Sequence, residues 1–127
     1  MNQDQNQNLD ELVSAGLRRL EAGDLAGFRA LCTPGATVWQ NDGLGTQSIE
    51  DRLKRIGEFF TDAESVRFEV VRRFHKPDEV FQQNVLHRVA RDGSLSRVHG
   101  STHFRFEGEL IAAIEEYLYE VPESPLS

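Results

Sequence analysis

Apolar positions along the chain change their spacing from helical to alternating, and the changes mark the boundaries of elements. Leu9, Leu12, Val13, Gly16, Leu17 and Leu20 recur at helical intervals, and Asn8 with Glu11 three residues later forms a capping-box pattern. A first helix is predicted from about Leu9 to Ala22. Asp24 suits the cap of a second, short helix with Leu25, Phe28 and Leu31 on its apolar stripe; Cys32 sits on that helix face as a small buried hydrophobe, and Pro34-Gly35 ends it. The strand Ala36-Thr37-Val38 then delivers Trp39 and Asn41 at its end. Ser48 with Asp51 opens a third helix, whose apolar face is Ile49, Leu53, Ile56, Phe59 and Phe60. From Val66 the period becomes two, with Val66, Phe68, Val70, Arg72 and Phe74 on one face and Arg67, Glu69, Val71, Arg73 and His75 on the other. Turns at Lys76-Pro77-Asp78, Asp92-Gly93-Ser94 and Glu107-Gly108-Glu109 divide the remainder into strands from about Val80 to Arg91, Leu95 to Phe106 and Leu110 to Tyr119.

Helices followed by a long antiparallel meander make an α+β order, here one domain over residues 9–120. Residues 1–8 read as a disordered polar segment and 121–127 as a loose tail with little to pack. If Asp92-Gly93-Ser94 is a three-residue loop, Asn84 lies opposite Thr102 on one face, and His87 opposite His99 on the other.

Composition narrows the partners. The 127 residues carry 14 Lys plus Arg against 21 Asp plus Glu, a formal charge of −7 that offers phosphates no net attraction, so nucleic acid is not an expected partner. No apolar run approaches the roughly 20 residues of a membrane span. A single cysteine rules out a disulfide framework, and the polar start MNQDQNQN does not resemble a signal peptide; a reduced, cytoplasmic protein is expected.

The run AGDLAGFRALCTPGATVWQN, residues 22–41, resembles the second helix and first strand of the nuclear transport factor 2-like superfamily, which includes ketosteroid isomerases, SnoaL-type polyketide cyclases and limonene epoxide hydrolases. Phe81-Gln82-Gln83-Asn84-Val85-Leu86 and the ending GELIAAIEEYLY are similar to segments of SnoaL-like proteins. The resemblance covers roughly residues 9 to 120. It implies a cone-shaped α+β (cystatin-like) fold, with three N-terminal helices packed on a curved, mostly antiparallel sheet and a pocket between them. It also implies a homodimer through the outer sheet face, where Phe, Val and His side chains would otherwise meet water.

Carried over position by position, the resemblance places the isomerase oxyanion tyrosine on Gly16, its base on Gln40 and its protonated aspartate on Thr102. None of these supplies a base, and only Thr102 supplies a weak donor, so isomerase chemistry at those positions is rejected. Against the epoxide hydrolases, the strand-one tyrosine and asparagine fall on Trp39 and Asn41, and a last-strand aspartate falls on Glu116. Their arginine and second aspartate fall on Gln82 and Asn84, so the full Asp-Arg-Asp set is absent.

What remains is a polar cluster of Asn41, Gln82, Asn84, Thr102, Gln40 and Glu116. The expected function is a small-molecule pocket protein, as a cofactor-independent hydrolase, cyclase, dehydratase or isomerase acting on a mostly apolar or hydroxylated molecule. In that reading Glu116 is the acid or base, Asn41 and Asn84 orient water or substrate, and Trp39, Gln82, Thr102 and Gln40 contact the ligand. The competing reading is a non-catalytic binding or dimerisation module. In it, buried amides satisfy one another, Trp39 is ordinary core and Glu116 is a solvated strand carboxylate. His87, His99 and His103 form a cross-strand cluster without the further ligands a metal needs. Arg52, Lys54 and Arg55, interleaved with Glu50 and Asp51, read as a solvated helix face.

Overall fold

A computed structural model describes the backbone of residues 2–122 and the side chains of residues 8–121. The helix α1 spans Asn2–Glu21, so it begins well before the Leu9 start predicted from Asn8. The remainder of the expected loose tail, residues 123–127, lies outside the described residues, while Val121 and Pro122 pair with Arg97 and Ser96. Leu9, Val13 and Leu20 of α1 are buried, as the periodicity required.

Asp24 does cap α2 (Leu25–Arg29), accepting a hydrogen bond from Gly27 N at 2.9 Å. That helix stops before Leu31. Cys32 therefore begins strand β1 (Cys32–Gln40), and Pro34-Gly35 sits within the strand where pairing with the last strand shifts register between Cys32 and Thr37. Proline cannot donate to a ladder, and an irregularity is where a strand tolerates it. The thiol is buried all the same, and burial pushes its pKa up to about 11.

Strand β2 (Thr46–Ser48) is too short to leave a periodic signal and folds back antiparallel on β1. Ser48 caps helix α3 (Ile49–Thr61), its hydroxyl accepting from Asp51 N at 3.2 Å. Strands β3 (Ala63–Lys76), β4 (Glu79–Ala90), β5 (Leu95–Glu107) and β6 (Leu110–Pro122) form the meander. The sheet is mixed, in the order β2-β1-β6-β5-β4-β3, with β1 parallel to β6. Among the described residues, no helix is long and apolar enough to cross a membrane.

Two register details matter for the site. The β4–β5 loop is Arg91-Asp92-Gly93, closed by Ala90 N donating to Ser94 O at 2.9 Å, because the positive-φ position at the end of such a loop falls on Gly93 (φ 88°). Asn84 thus lies opposite Gly100 rather than Thr102, and His87 opposite Arg97 rather than His99. A shift of two residues leaves every side chain on its expected face.

In β3 the partners jump from Val70↔Asn84 to Arg72↔Gln83, so Val71 is an extra, bulged residue. The bulge reverses the faces beyond it. Arg73 and His75 turn toward the helices, while Phe74, expected beside Phe68, is 61% exposed on the other side.

The core joins Leu9, Val13 and Leu20 of α1, Phe28 of α2 and Ile49 and Leu53 of α3 to the inner sheet residues Val38, Val80, Phe104, Ile111 and Ile114. Ile111 is 1% exposed, and its N–H donates to Leu31 O at 2.9 Å. Ile111→Ala should cost about 2–5 kcal/mol in urea unfolding, seen as a lower midpoint at unchanged slope. Leu95→Ala at a half-exposed strand end should stay within about 0.5 kcal/mol; equal losses for the two would contradict this placement of the core.

Candidate functional site

Strand pairing lines up one row of polar residues across the inner face: Arg73 on β3, Gln82 on β4, Thr102 on β5, Glu116 on β6 and Gln40 on β1 are successive cross-strand partners. Inner positions of a sheet packed on helices are usually apolar, so each of these groups needs a partner. Each has one. Arg73 Nε donates to Gln82 Oε1 (2.9 Å), Gln82 Nε2 donates to Asn84 Oδ1 (3.0 Å), and Thr102 Oγ1 donates to the same oxygen (3.3 Å). Arg73 also reaches helix α1, where it pairs with the Asp10 carboxylate and donates to Ser14 Oγ at 3.1 Å. At the other end, Gln40 Nε2 donates to Glu116 Oε1 at 3.0 Å, and Arg52 Nε of α3 stands 3.8 Å from that oxygen.

Over this row lies a cavity of about 500 Å³ between sheet and helices. Leu20, Phe28, Ile49, Leu53, Ile56, Phe60, Phe68 and Phe104 supply apolar walls, while Gln40, Gln82, Asn84, Thr102, Glu116 and Arg52 supply the polar patch. Burial of Gln82 (0% exposed), Thr102 (3%), Gln40 (6%) and Asn84 (7%) is nearly complete. The cavity has the composition of a ligand site, with broad apolar walls and a few convergent polar atoms.

Five of the expected site residues meet here. Asn41 and Trp39 do not contribute as expected. Asn41 is exposed at the cavity's edge, and both ends of its amide hold the Leu118 backbone: Nδ2 donates to Leu118 O at 3.2 Å, and Oδ1 accepts from Leu118 N at 2.9 Å. Such an amide acts as a clamp, with one N–H and one lone pair engaged by the backbone. Trp39 points to the opposite face, because alternation along β1 sends Val38 and Gln40 inward; its ring packs at 5.1 Å and 59° on Tyr117.

Arg52 corrects the reading of a solvated helix face. Its side chain is only 18% exposed, and burial pulls the guanidinium below its ordinary range while Glu116 and Asp42 oppose that shift. Its spacing carried the signal: Arg52 follows Ile49 by three and precedes Ile56 by four, within the apolar stripe. Lys54 and Arg55 are exposed as expected, Arg55 bordering the cavity. Gly16, where the isomerase resemblance puts a tyrosine, packs tightly on Phe28: an added Cβ would lie 3.0 Å from Phe28 Cε2.

Two of the three outer-face histidines, His87 and His103, are paired with different glutamates. His87 Nε2 is 2.8 Å from Glu69 and His103 Nε2 is 2.7 Å from Glu79, and these contacts hold both carboxyls below their ordinary values. Among the described residues, no three metal-ligating side chains gather.

The family model of the SnoaL-like domain matches residues 13–114. No curated protein matches the chain. Among solved structures, the chain is similar to AclR of Streptomyces galilaeus (14% identity, 87% of this chain and 88% of that one, TM-score 0.78). A nuclear transport factor 2-like protein of Anabaena variabilis aligns with 16% identity over 92% of this chain and 93% of that one, TM-score 0.77. A protein of ketosteroid isomerase-like fold from Catenulispora acidiphila, solved with trimethylamine, aligns with 18% identity over 84% of each, TM-score 0.72. These similarities establish a nuclear transport factor 2-like fold and leave chemistry to the site.

Because Gln82 bridges Arg73 and Asn84, Gln82→Leu should orphan the Arg73 Nε donor and leave Asn84 Oδ1 with Thr102 as its one donor. The expected loss is about 1–3 kcal/mol by chemical denaturation. A neutral result would mean the row is not held by these hydrogen bonds.

Proposed function

Because the chain belongs to the SnoaL-like domain family, we propose that it binds a small, mostly apolar molecule in the cavity and moves a proton on it through Glu116, without a cofactor. One observation carries this reading. Glu116 is a carboxylate in the polar row, with one oxygen positioned by Gln40 and Arg52 and no hydrogen bond to the other among the described residues. A carboxylate held from one side and open on the other can accept a proton from a bound C–H, O–H or water and return it elsewhere. Arg52 stabilises negative charge that develops on the substrate, in a cavity walled by Phe28, Phe60 and Phe104. Isomerisation, dehydration and cyclisation need no more than this shuttle, and hydrolysis needs one water beside Glu116.

The competing reading is a pocket that holds its ligand without turnover. The Arg52 and Gln40 contacts favour it, since a carboxylate already engaged is less available as a base. Deuterium exchange into 1-tetralone, an enolisable bicyclic ketone, separates the two. The wild type should accelerate exchange in D₂O, and Glu116→Gln should lose about 10²–10⁴-fold of that rate while keeping its circular dichroism and ketone binding. Ketone that binds but exchanges only at the solvent rate would establish the non-catalytic reading.

The proposal extends to assembly as a homodimer. Val71 (49% exposed), Tyr117 (61%) and Tyr119 (71%) surround a shallow depression on the outer sheet face, an apolar surface suited to a second copy. Sedimentation velocity should give a dimer for the wild type and a monomer for Tyr119→Lys. A wild-type chain that sediments as a monomer at every attainable concentration would sink the idea.

A further inference from the structure

The hydrogen bonds beneath the cavity have a direction, set at one end by a group that can only donate. Arginine has five N–H donors and no acceptor. Arg73 Nε donates to Gln82, so the oxygen of that amide faces Arg73 and its nitrogen faces Asn84. Asn84 accordingly accepts through Oδ1, and the Thr102 hydroxyl donates to the same atom. Both contacts fall on the oxygen. The amino group, Nδ2, has no hydrogen-bond partner among the described residues, although Asn84 is 7% exposed and lines the cavity.

Gly100 keeps this nitrogen uncovered. It lies directly opposite Asn84, and an added Cβ there would come within 3.3 Å of Nδ2 and 2.8 Å of Leu118 Cδ2. Reversing the Asn84 amide would set its nitrogen against the Gln82 nitrogen, donor facing donor in a buried place, since the Gln82 oxygen is held by Arg73. The chain of partners from helix α1 therefore presents a fixed N–H donor to the cavity floor. Two strands away, across β5, Glu116 presents a carboxylate acceptor.

From this polarity we propose that the ligand is a neutral carbonyl compound on an apolar skeleton. Its carbonyl oxygen accepts from Asn84 Nδ2, and a hydroxyl or acidic C–H of the same molecule faces Glu116. The inference rests on the pocket reading above and specifies its substrate class. A ligand that offers only a donor at the Asn84 end leaves the amide unmatched, and an anionic group there sits beside the charge of Glu116. Asn84 is a ligand-binding residue in this scheme, and Arg73 and Gln82 are positioning residues that act through it.

The probes are 1-tetralone and tetralin, which share a bicyclic skeleton and differ in the carbonyl oxygen. In calorimetric titration of the full chain, tetralone should bind at least about tenfold more tightly than tetralin. The Asn84 side-chain amide resonances in a ¹⁵N spectrum should shift with tetralone and stay in place with tetralin. Asn84→Asp preserves the oxygen that accepts from Gln82 and Thr102 and replaces the amino group by a second acceptor. It should erase the preference for the ketone. Equal affinities for the two probes, or a bound tetralone that leaves the Asn84 resonances unmoved, would overturn the inference while the pocket reading stands. Failure of both probes to bind would overturn both. The wild-type spectrum keeps the test decisive even if Asn84→Asp does not fold.

Discussion

Polar side chains laid across the inner face of a sheet have to be satisfied there, and this requirement links the parts of the molecule. Each buried donor or acceptor left alone would cost about 1–3 kcal/mol, a large share of the stability of a domain this size. Arg73 meets the requirement by reaching out of the sheet to Asp10 and Ser14 of α1. Glu116 meets it at the other end, through Gln40 on β1 and Arg52 on α3. The row thus ties two helices to the sheet, and the cavity is the space these ties leave between them. Stability and function are coupled here because the same atoms serve both.

The bulge at Val71 is what allows this. In a regular strand without the bulge, Arg73 would share a face with Glu69 and Val71, in solvent, and Phe74 would take an inner position. Gln82 would then lack its donor, and the direction of the whole amide chain would be unspecified. A bulge in an edge strand therefore sets the direction of the amide chain on the strand beside it.

Much of the fold was legible because hydrophobic spacing is a local property. The stripes of α1 and α3, the caps at Asp24 and Ser48 and the meander all follow from residues close in sequence. Face assignment within β4, β5 and β6 was legible for the same reason, since a period of two survives a register shift of two. This is why Gln82, Asn84, Thr102 and Glu116 were gathered correctly although Asn84 pairs with Gly100. Gln40 stood in the expected set, yet its partnership with Glu116 depends on a parallel pairing between the first and last strands, which no local pattern encodes. Arg52 could have been found from its place on the α3 stripe, but a charged residue among charged neighbours reads as solvated until the facing carboxylate is known.

By itself the sequence determined the α+β class, the elements and their apolar faces, the lost isomerase groups at Gly16 and Gln40, and the choice of Glu116 as the carboxylate to consider. Only the tertiary structure decided that Arg73 and Arg52 are turned inward, that Trp39 is turned outward and that the Asn41 amide is tied to the backbone of Leu118. The physical reason is range. Spacing along the chain reports which face a residue takes, whereas the partner of a buried polar atom is set by strand order, register and bulges that join residues as far apart as Gln40 and Glu116.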